Sequence, residues 1–166
     1  MRLFLAIPVT GSARAGLEAA LARWRAAAPE VRWEAPPDWH ITLKFLGAWP
    51  DADEARLIAT LSDQAWPRLR LLVAGLGAFP SLRRPGTLWA GVTPRRPLTP
   101  HLTLARVRKP GTADALRGEW RQPERAWGEV EADGMALYQT TPGAIAGARY
   151  RIRRHFPAAL PAPANA

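Results

Sequence analysis

His40-Ile41-Thr42-Leu43 and His101-Leu102-Thr103-Leu104 are two copies of one pattern, a histidine, an aliphatic residue, a threonine and a leucine, placed 61 residues apart. Each copy is preceded by an apolar segment that ends at a proline, LFLAIP at residues 3–8 and LWAGVTP at residues 88–94. Segments of this kind are rich in strand formers and stop where proline removes the backbone donor. The repeat therefore predicts a duplicated unit, with each His-aliphatic-Thr-Leu motif on a strand.

The two halves of this duplication differ in length at one place. Pro8 and His40 are 32 positions apart, and the segment between them has the spaced apolar residues of a helix over 12–28. Pro94 and His101 are only 7 positions apart, which leaves no room for such a helix. We therefore expect the second sheet to be bare on one face, or to be covered by another segment or by a partner chain.

Strand and helix signals alternate along the rest of the chain. Further helices are predicted over 51–65 and 112–120. Strands are predicted over 2–7, 31–34, 39–46, 69–73, 76–79, 87–92, 101–107 and 149–156, with one or two more over 127–139. This interleaving predicts an α+β or mixed α/β class. We expect one domain over 1–157, followed by a disordered tail rich in proline and alanine over 158–166.

The composition excludes several classes of protein. No apolar run approaches the roughly 18–20 residues that span a bilayer, and the absence of cysteine rules out disulfides and thiol nucleophiles. We therefore expect a cytoplasmic protein. The formal net charge is +9, and all but two of the 23 basic residues are arginines. Because arginine presents a planar fork of donors to phosphate, the charge favours a nucleic acid partner; an arginine-rich compositional bias is the alternative interpretation.

Regular alternation along the two motif strands predicts which side chains share a face. His40, Thr42 and Lys44 would point one way, with Phe45 on the opposite face. On the second strand His101 and Thr103 would share a face, and Arg106 would lie with Leu102 and Leu104 on the other. Arg106 reaches the histidine face only if the strand twists, bulges or ends near Ala105.

If the two halves are related by a pseudo-twofold axis, both histidines face one cleft. Two imidazoles placed in this way suit in-line attack on a phosphodiester. A neutral imidazole takes the proton of the attacking oxygen, and an imidazolium gives a proton to the leaving oxygen. An ordinary histidine pKa of about 6.5 makes both states accessible near neutrality. The threonine hydroxyls would donate to the phosphate oxygens. We expect no metal site, because no carboxylate accompanies the histidines at ligand spacing, and we expect His155 to be a surface residue.

Six stretches of the sequence resemble the 2H phosphoesterases, a superfamily named for two His-x-Thr/Ser motifs. They are RLFLAIP at 2–8, HITLKFLG at 40–47, GLGAFP at 75–80, LWAGV at 88–92, PHLTLARVR at 100–108 and GARY at 147–150. Within the superfamily the chain is most similar to the RNA 2′,3′-cyclic phosphodiesterases once called 2′-5′ RNA ligases. The resemblance covers essentially residues 1–157.

The resemblance implies an α+β, bilobal fold with pseudo-twofold symmetry, in which two antiparallel-rich sheets flanked by helices surround a central cleft. It implies metal-independent opening of an RNA or oligonucleotide 2′,3′-cyclic phosphate to a 2′-phosphate, without a cofactor and by a monomer. His40 would be the proton donor to the 3′-oxygen, and His101 the proton acceptor from water. Thr42, Thr103 and Arg106 would bind the phosphate.

Two other functions remain open from the sequence. One is the joining of 2′-phosphate and 5′-hydroxyl RNA ends as the reverse reaction, and the other is RNA binding without catalysis. Several residues have both a structural interpretation and an RNA-binding one. Trp33, Phe45 and Phe79 would either lie in the core or stack on a base, and Arg83-Arg84 and Arg95-Arg96 would either be solvated or hold an RNA backbone. Arg149, Arg151 and Arg153 alternate on one strand face and form a row of positive charge.

Overall fold

The computed structural model describes residues 1–93, 100–145 and 147–159, which form nine strands and two α-helices. The strands are β1 (Arg2–Pro8), β2 (Arg32–Trp33), β3 (His40–Ala48), β4 (Leu69–Ser81), β5 (Arg84–Thr93), β6 (His101–Arg106), β7 (Ala126–Ala132), β8 (Gly134–Thr140) and β9 (Tyr150–Pro157). The helices are α1 (Gly11–Ala27) and α2 (Glu54–Ser62). Neither helix is long and apolar enough to cross a membrane.

The strands form one sheet in the order β7-β4-β5-β6-β3-β1-β8-β9, and β2 pairs with β6. Every pairing between these strands is antiparallel. The first lobe comprises β3, β1, β8 and β9, and the second comprises β7, β4, β5, β6 and β2. One residue pair, Ile41 with Leu102, joins β3 to β6. The expected α+β fold is confirmed, and the two expected sheets are the halves of this continuous sheet.

Helix α1 covers the second lobe, although it belongs to the first half of the sequence. Its buried face contains Leu17, Leu21 and Trp24, which pack in one core with Val73 and Leu104 of the second lobe. Backbone approaches backbone closely at Gly16, where a Cβ would lie 2.1 Å from the carbonyl oxygen of Trp127. The missing second helix therefore does not leave this sheet bare, because another segment supplies the cover.

Helix α2 covers the first lobe with a smaller apolar face. Leu57, Ile58 and Leu61 are partly buried against Leu3 and Leu137. The predicted helix over 51–65 is shorter in the structure, since its first turn is a 3₁₀ turn.

The helix predicted over 112–120 is wrong. The structure has two separate 3₁₀ turns there, Asp114–Leu116 and Glu119–Arg121. Gly118 lies between them, and an interior glycine costs a helix about 1 kcal/mol relative to alanine. Both turns are held by burial of a side chain, Leu116 in the first and Trp120 in the second.

Two residues of the predicted tail, Ala158 and Ala159, make backbone hydrogen bonds to the rest of the structure. The backbone N–H of Ala158 donates to the carbonyl of Asp133 at 2.7 Å, and that of Ala159 donates to the carbonyl of Trp66 at 2.8 Å. The rest of the predicted tail, 160–166, lies outside the described residues, as do Arg95-Arg96 and the rest of the short link over 94–99.

Candidate active site

The two motif strands lie side by side and line one cleft. Because Ile41 is opposite Leu102 in an antiparallel pair, the residues on either side of them meet across the junction of the lobes. His40, Thr42, His101 and Thr103 all line a cleft of about 330 Å³. The structure thus brings together the four motif residues that the sequence singled out.

Each motif strand carries a β-bulge directly after its threonine. On β3 the register against β1 skips Leu43, and on β6 the register against β5 skips Leu104. A bulge inserts one residue and so reverses the alternation of faces beyond it. Arg106 therefore lies on the same face as His101 and Thr103. The sequence predicted this placement only if the strand twists, bulges or ends near Ala105, and the structure has a bulge there.

The same bulge changes the face of two residues on β3. Lys44 pairs with Leu5, whose side chain packs toward α2, so the predicted place of Lys44 beside His40 is wrong. Phe45 pairs with Phe4 instead and lines the cleft, and its side chain is 72% exposed. The two motifs therefore present equivalent residues at the same spacing, His40, Thr42 and Phe45 on β3, and His101, Thr103 and Arg106 on β6.

Arg106 is held by its cross-strand partner. Its Nη1 donates to Thr87 Oγ1 at 2.9 Å, and the two residues are paired between β6 and β5. An arginine side chain has five N–H donors in a planar fork. This bond orients the guanidinium along the cleft and leaves further donors for an anion.

The ring of His40 is fixed by a backbone carbonyl. Nδ1 lies 2.7 Å from the carbonyl oxygen of Asp38 and donates to it, because a carbonyl only accepts. Nε2 is therefore the nitrogen that exchanges a proton with a ligand. Burial lowers the pKa of His40 below its ordinary 6.5, and the charges of Arg106 and His101 act in the same direction. The hydrogen bond to the Asp38 carbonyl and the negative charge of the Asp38 carboxylate act in the opposite direction.

Asp38 ties the His40 segment to a distant part of the chain. Its buried carboxylate accepts hydrogen bonds from the backbone N–H groups of Gly147 and of Arg149, the latter at 3.2 Å. Pro36–Asp38 is the 3₁₀ turn that precedes β3, so this carboxylate anchors the backbone that holds His40.

Glu34 and Arg149 form a second buried connection beside the cleft. The guanidinium of Arg149 donates to the carboxylate of Glu34, and both side chains are largely buried. Burial raises the pKa of Glu34, while the positive charge of Arg149 opposes that shift. Sequence reasoning missed both Asp38 and Glu34. Their signal was available, since each is an acidic residue close before the first histidine in a basic chain.

Aromatic rings surround both histidines. The His40 ring centroid lies 4.8 Å from that of Phe4 and 4.7 Å from that of Tyr150, and the His101 centroid lies 5.0 Å from that of Phe79. Phe79 lines the cleft at 40% exposure, as a stacking residue would. Trp33 is buried in the core of the second lobe, so it does not reach the cleft.

Two of the three arginines in the expected row of positive charge at Arg149, Arg151 and Arg153 form ion pairs in the structure. Arg149 is paired with Glu34, and Arg153 donates to both carboxylate oxygens of Glu54 at 2.6 Å, which also lowers the pKa of that carboxyl. The charges of Arg149 and Arg153 are therefore compensated by acids from other elements. His155 lies on β9 and does not line the cleft. Among residues 1–93, 100–145 and 147–159, no three His, Asp or Glu side chains are grouped to hold a metal.

An antiparallel two-lobed sheet with a His-x-Thr motif from each lobe in one cleft is the arrangement that the resemblance to the two-histidine phosphoesterases implies. The family model described as LigT like phosphoesterase matches residues 7–89, half of the chain. The chain belongs to this family, which confirms the resemblance seen in the sequence.

Relatives and solved structures agree with this family. The RNA 2′,3′-cyclic phosphodiesterase of Archaeoglobus fulgidus is 29% identical over 164 residues, which cover 84% of this chain and 91% of the relative. The crystal structure of TT0787 of Thermus thermophilus matches with a TM-score of 0.72 at 23% identity, over 95% of this chain and 97% of that one. E. coli LigT complexed with 3′-AMP matches with a TM-score of 0.67 at 24% identity, over 96% and 98%. At these identities the two structures show the fold.

Proposed function

We propose that this protein hydrolyses the 2′,3′-cyclic phosphate end of an RNA or oligonucleotide to a 2′-phosphate, by metal-independent acid–base catalysis with His40 and His101. The observation that carries the proposal is the meeting of two His-x-Thr motifs in one cleft, at strand positions related by the Ile41–Leu102 pair. The name of the Archaeoglobus relative supports RNA as the substrate class.

The cyclic phosphate would be held by three side chains. The hydroxyls of Thr42 and Thr103 donate to its non-bridging oxygens from the two lobes, and the Arg106 guanidinium compensates the negative charge. In the transition state this charge increases, so donors that are already oriented lower the barrier. The bond from Arg106 to Thr87 supports this role because it fixes the guanidinium before substrate binds.

The reaction transfers one proton on each side of the phosphorus. His101, neutral at the start, accepts a proton from water as the water oxygen bonds to phosphorus. The bond from phosphorus to the 3′-oxygen breaks, and Nε2 of protonated His40 gives its proton to that oxygen. The products are a 3′-hydroxyl and a 2′-phosphate, and exchange with solvent restores the two protonation states.

The hydrogen bond at Nδ1 supports Nε2 of His40 as the atom that would give the proton, whereas burial of the ring opposes the charged form that an acid needs. The Nδ1–H is engaged with the Asp38 carbonyl, so the transferable proton sits on Nε2. Burial disfavours the charged ring in the free protein, as its lowered pKa records. A bound phosphate anion acts in the opposite direction, because a nearby opposite charge favours the imidazolium.

The exposed ring of Phe45 supports an aromatic contact with the terminal base. It is 72% exposed at the cleft, and no packing requirement explains so large an apolar side chain there. Stacking of a base on an aromatic side chain is worth about 1–3 kcal/mol. We further propose that the protein acts as a monomer in the cytoplasm.

The roles of the two histidines are tested with a changed leaving group. A substrate whose 3′-bridging oxygen is replaced by sulfur releases a thiolate, which needs no proton. His40→Ala is expected to lose much less activity on this substrate than on the oxygen substrate, whereas His101→Ala loses activity on both. The reverse pattern would exchange the two roles. Assays with and without EDTA test metal independence, and joining of 2′-phosphate and 5′-hydroxyl RNA ends would indicate ligation instead.

A further inference from the structure

A second pocket opens directly beside the proposed catalytic cleft. It has a volume of about 230 Å³ and shares four lining residues with the cleft, Glu34, Arg106, Thr140 and Tyr150. Its outer wall adds Arg32 from β2 and Thr141 from the segment after β8. The two spaces are therefore contiguous, with Arg106 between them.

Two arginines meet at this pocket as cross-strand partners. Arg32 on β2 is paired with Arg106 on β6, and both side chains are exposed. Like charges directly opposite each other on neighbouring strands are destabilising. Among the residues that the structure describes, no carboxylate forms an ion pair with Arg32. An anion bound between the two guanidinium groups would relieve this repulsion.

The backbone that carries Arg32 is rigidly held. Trp33, its neighbour, is buried and stacks on Trp24 with 5.9 Å between ring centroids. The N–H of Glu34 donates to the carbonyl of Leu104 at 2.8 Å. The two residues that follow Arg32 thus hold its backbone beside the cleft, in contrast to an arginine on a free loop.

The acid in the pocket does not cancel its positive charge. Glu34 is buried and its carboxylate is paired with Arg149, so this pair is internally compensated. Arg32 and Arg106 remain as two positive charges, next to the hydroxyl groups of Thr140 and Thr141. Two guanidinium groups beside hydroxyl donors are a chemistry that suits a phosphate.

We propose that this pocket binds the phosphate on the 5′ side of the terminal nucleotide, with Arg32 as its specific ligand. The inference rests on the proposed function and extends it. In an RNA strand the next phosphate lies one nucleotide away from the cyclic phosphate, and the pocket adjoins the cleft at Arg106. The substrate class is then a nucleotide with a 5′-phosphate or an oligonucleotide, rather than a nucleoside 2′,3′-cyclic phosphate with a free 5′-hydroxyl.

A larger basic groove elsewhere is the competing path for the RNA. It has a volume of about 560 Å³ and contains Arg83, Arg84 and Arg108. Two of these arginines were candidates from the sequence. This groove shares no lining residue with the cleft, whereas the pocket at Arg32 shares four. Contiguity with the reacting phosphate therefore favours the smaller pocket.

The test compares one nucleoside 2′,3′-cyclic phosphate carrying a 5′-hydroxyl with the same molecule carrying a 5′-phosphate. In the unmodified protein the 5′-phosphate is expected to raise kcat/KM by about 10- to 100-fold, the range of a hydrogen bond to a charged group. Arg32→Ala should remove most of this gain and leave the 5′-hydroxyl substrate unchanged. Arg32→Lys should retain part of it, since it keeps the charge and loses the fork. Arg83→Ala, in the larger groove, tests the competing path and should leave the effect of the 5′-phosphate unchanged.

Each contrary outcome has a distinct meaning. Equal kcat/KM for the two substrates, or an equal loss on both in Arg32→Ala, would overturn the pocket while the proposed function stands. If Arg83→Ala alone abolishes the increase in kcat/KM that the 5′-phosphate gives, the RNA lies in the larger groove, and the proposed role of the Arg32 pocket is overturned. Failure to hydrolyse either substrate, or the corresponding oligonucleotide, would contradict the proposed function, and the inference with it.

Discussion

Ile41 and Leu102, the second residues of the two His-aliphatic-Thr-Leu motifs, are paired with each other where β3 meets β6. Equivalent residues of a repeat pair in this way only when a local twofold axis passes between them. The axis relates His40 to His101 and Thr42 to Thr103, and it places each motif's histidine next to the other motif's threonine. The duplication seen in the sequence is therefore also the geometric origin of the cleft.

Removal of either cleft histidine is expected to abolish most of the activity. Each proton transfer contributes about 10²- to 10⁴-fold to the rate, so His40→Ala and His101→Ala should each lower kcat on a 2′,3′-cyclic-phosphate oligonucleotide by that factor. The measurement is steady-state kinetics on folded variants, with circular dichroism as the check on folding. His155→Ala is the matched control, because His155 lies outside the cleft, and its rate should stay unchanged. Full turnover by either cleft variant would exclude the two-histidine mechanism.

Asp38→Asn is expected to impair catalysis through the position of His40. The carboxylate accepts two backbone N–H groups with its two oxygens, and an asparagine side chain offers only one acceptor. The anchor of the turn that carries the Asp38 carbonyl is therefore weakened, and kcat should fall with a smaller change in KM. Loss of the negative charge should also lower the pKa of His40 further.

A purely structural role for Asp38 would leave the pH profile in place. The diagnostic measurement is thus the apparent pKa that His40 contributes to the kcat/KM profile, identified by NMR titration of its ring, which should move to lower pH in Asp38→Asn. Asp53→Asn serves as a control, since that carboxylate lies on the surface and pairs with Arg56 at 3.4 Å. An unshifted profile in Asp38→Asn would refute the positioning role.

The lowered pKa of His40 predicts how stability depends on pH. In the unfolded chain the pKa is close to 6.5, and in the folded protein burial holds it lower. Between these two values the unfolded state binds more protons, so the free energy of unfolding decreases as pH falls from about 6.5 through the folded pKa. NMR titration of the imidazole should give the folded value, and the neutral ring should carry its proton on Nδ1. A folded pKa above 6.5, or a proton on Nε2, would contradict the observed environment.

Gly16→Ala is expected to destabilise the protein although it improves helix propensity. Alanine gains about 1 kcal/mol over glycine in a helix interior. At Gly16, however, the new Cβ would lie 2.1 Å from the backbone oxygen of Trp127, and a backbone atom has little freedom to move. The measurement is the free energy of unfolding by denaturant titration. Gly118→Ala is the control, since a Cβ there meets nothing within 4 Å; a stabilised Gly16→Ala would show that α1 does not pack this closely on β7.

Much of the candidate site was predictable from the sequence because the motifs repeat. Period-two alternation along each motif strand predicted that His40 shares a face with Thr42, and His101 with Thr103. The place of Arg106 did not, because the bulge at Leu104 depends on the register against β5. Local sequence carries no direct signal for such a register.

The contacts that remained unpredicted are long-range. Helix α1 covers the lobe formed by the other half of the chain, which a repeat pattern alone does not indicate. Asp38 bonds to Gly147 and Arg149, and Glu34 bonds to Arg149, across more than 100 residues of sequence. The stretch at 147–150 was recognised as part of the resemblance, and the structure gives the reason for its importance.

The most direct test of the central claim is the identity of the product formed from an oligonucleotide that ends in a 2′,3′-cyclic phosphate. The purified protein is incubated with this substrate in the presence of EDTA, and the product is analysed by ³¹P NMR. The account predicts turnover to a 2′-phosphate, because the bond to the 3′-oxygen breaks when His40 protonates that oxygen. A 3′-phosphate product, or turnover that requires a metal, would contradict it.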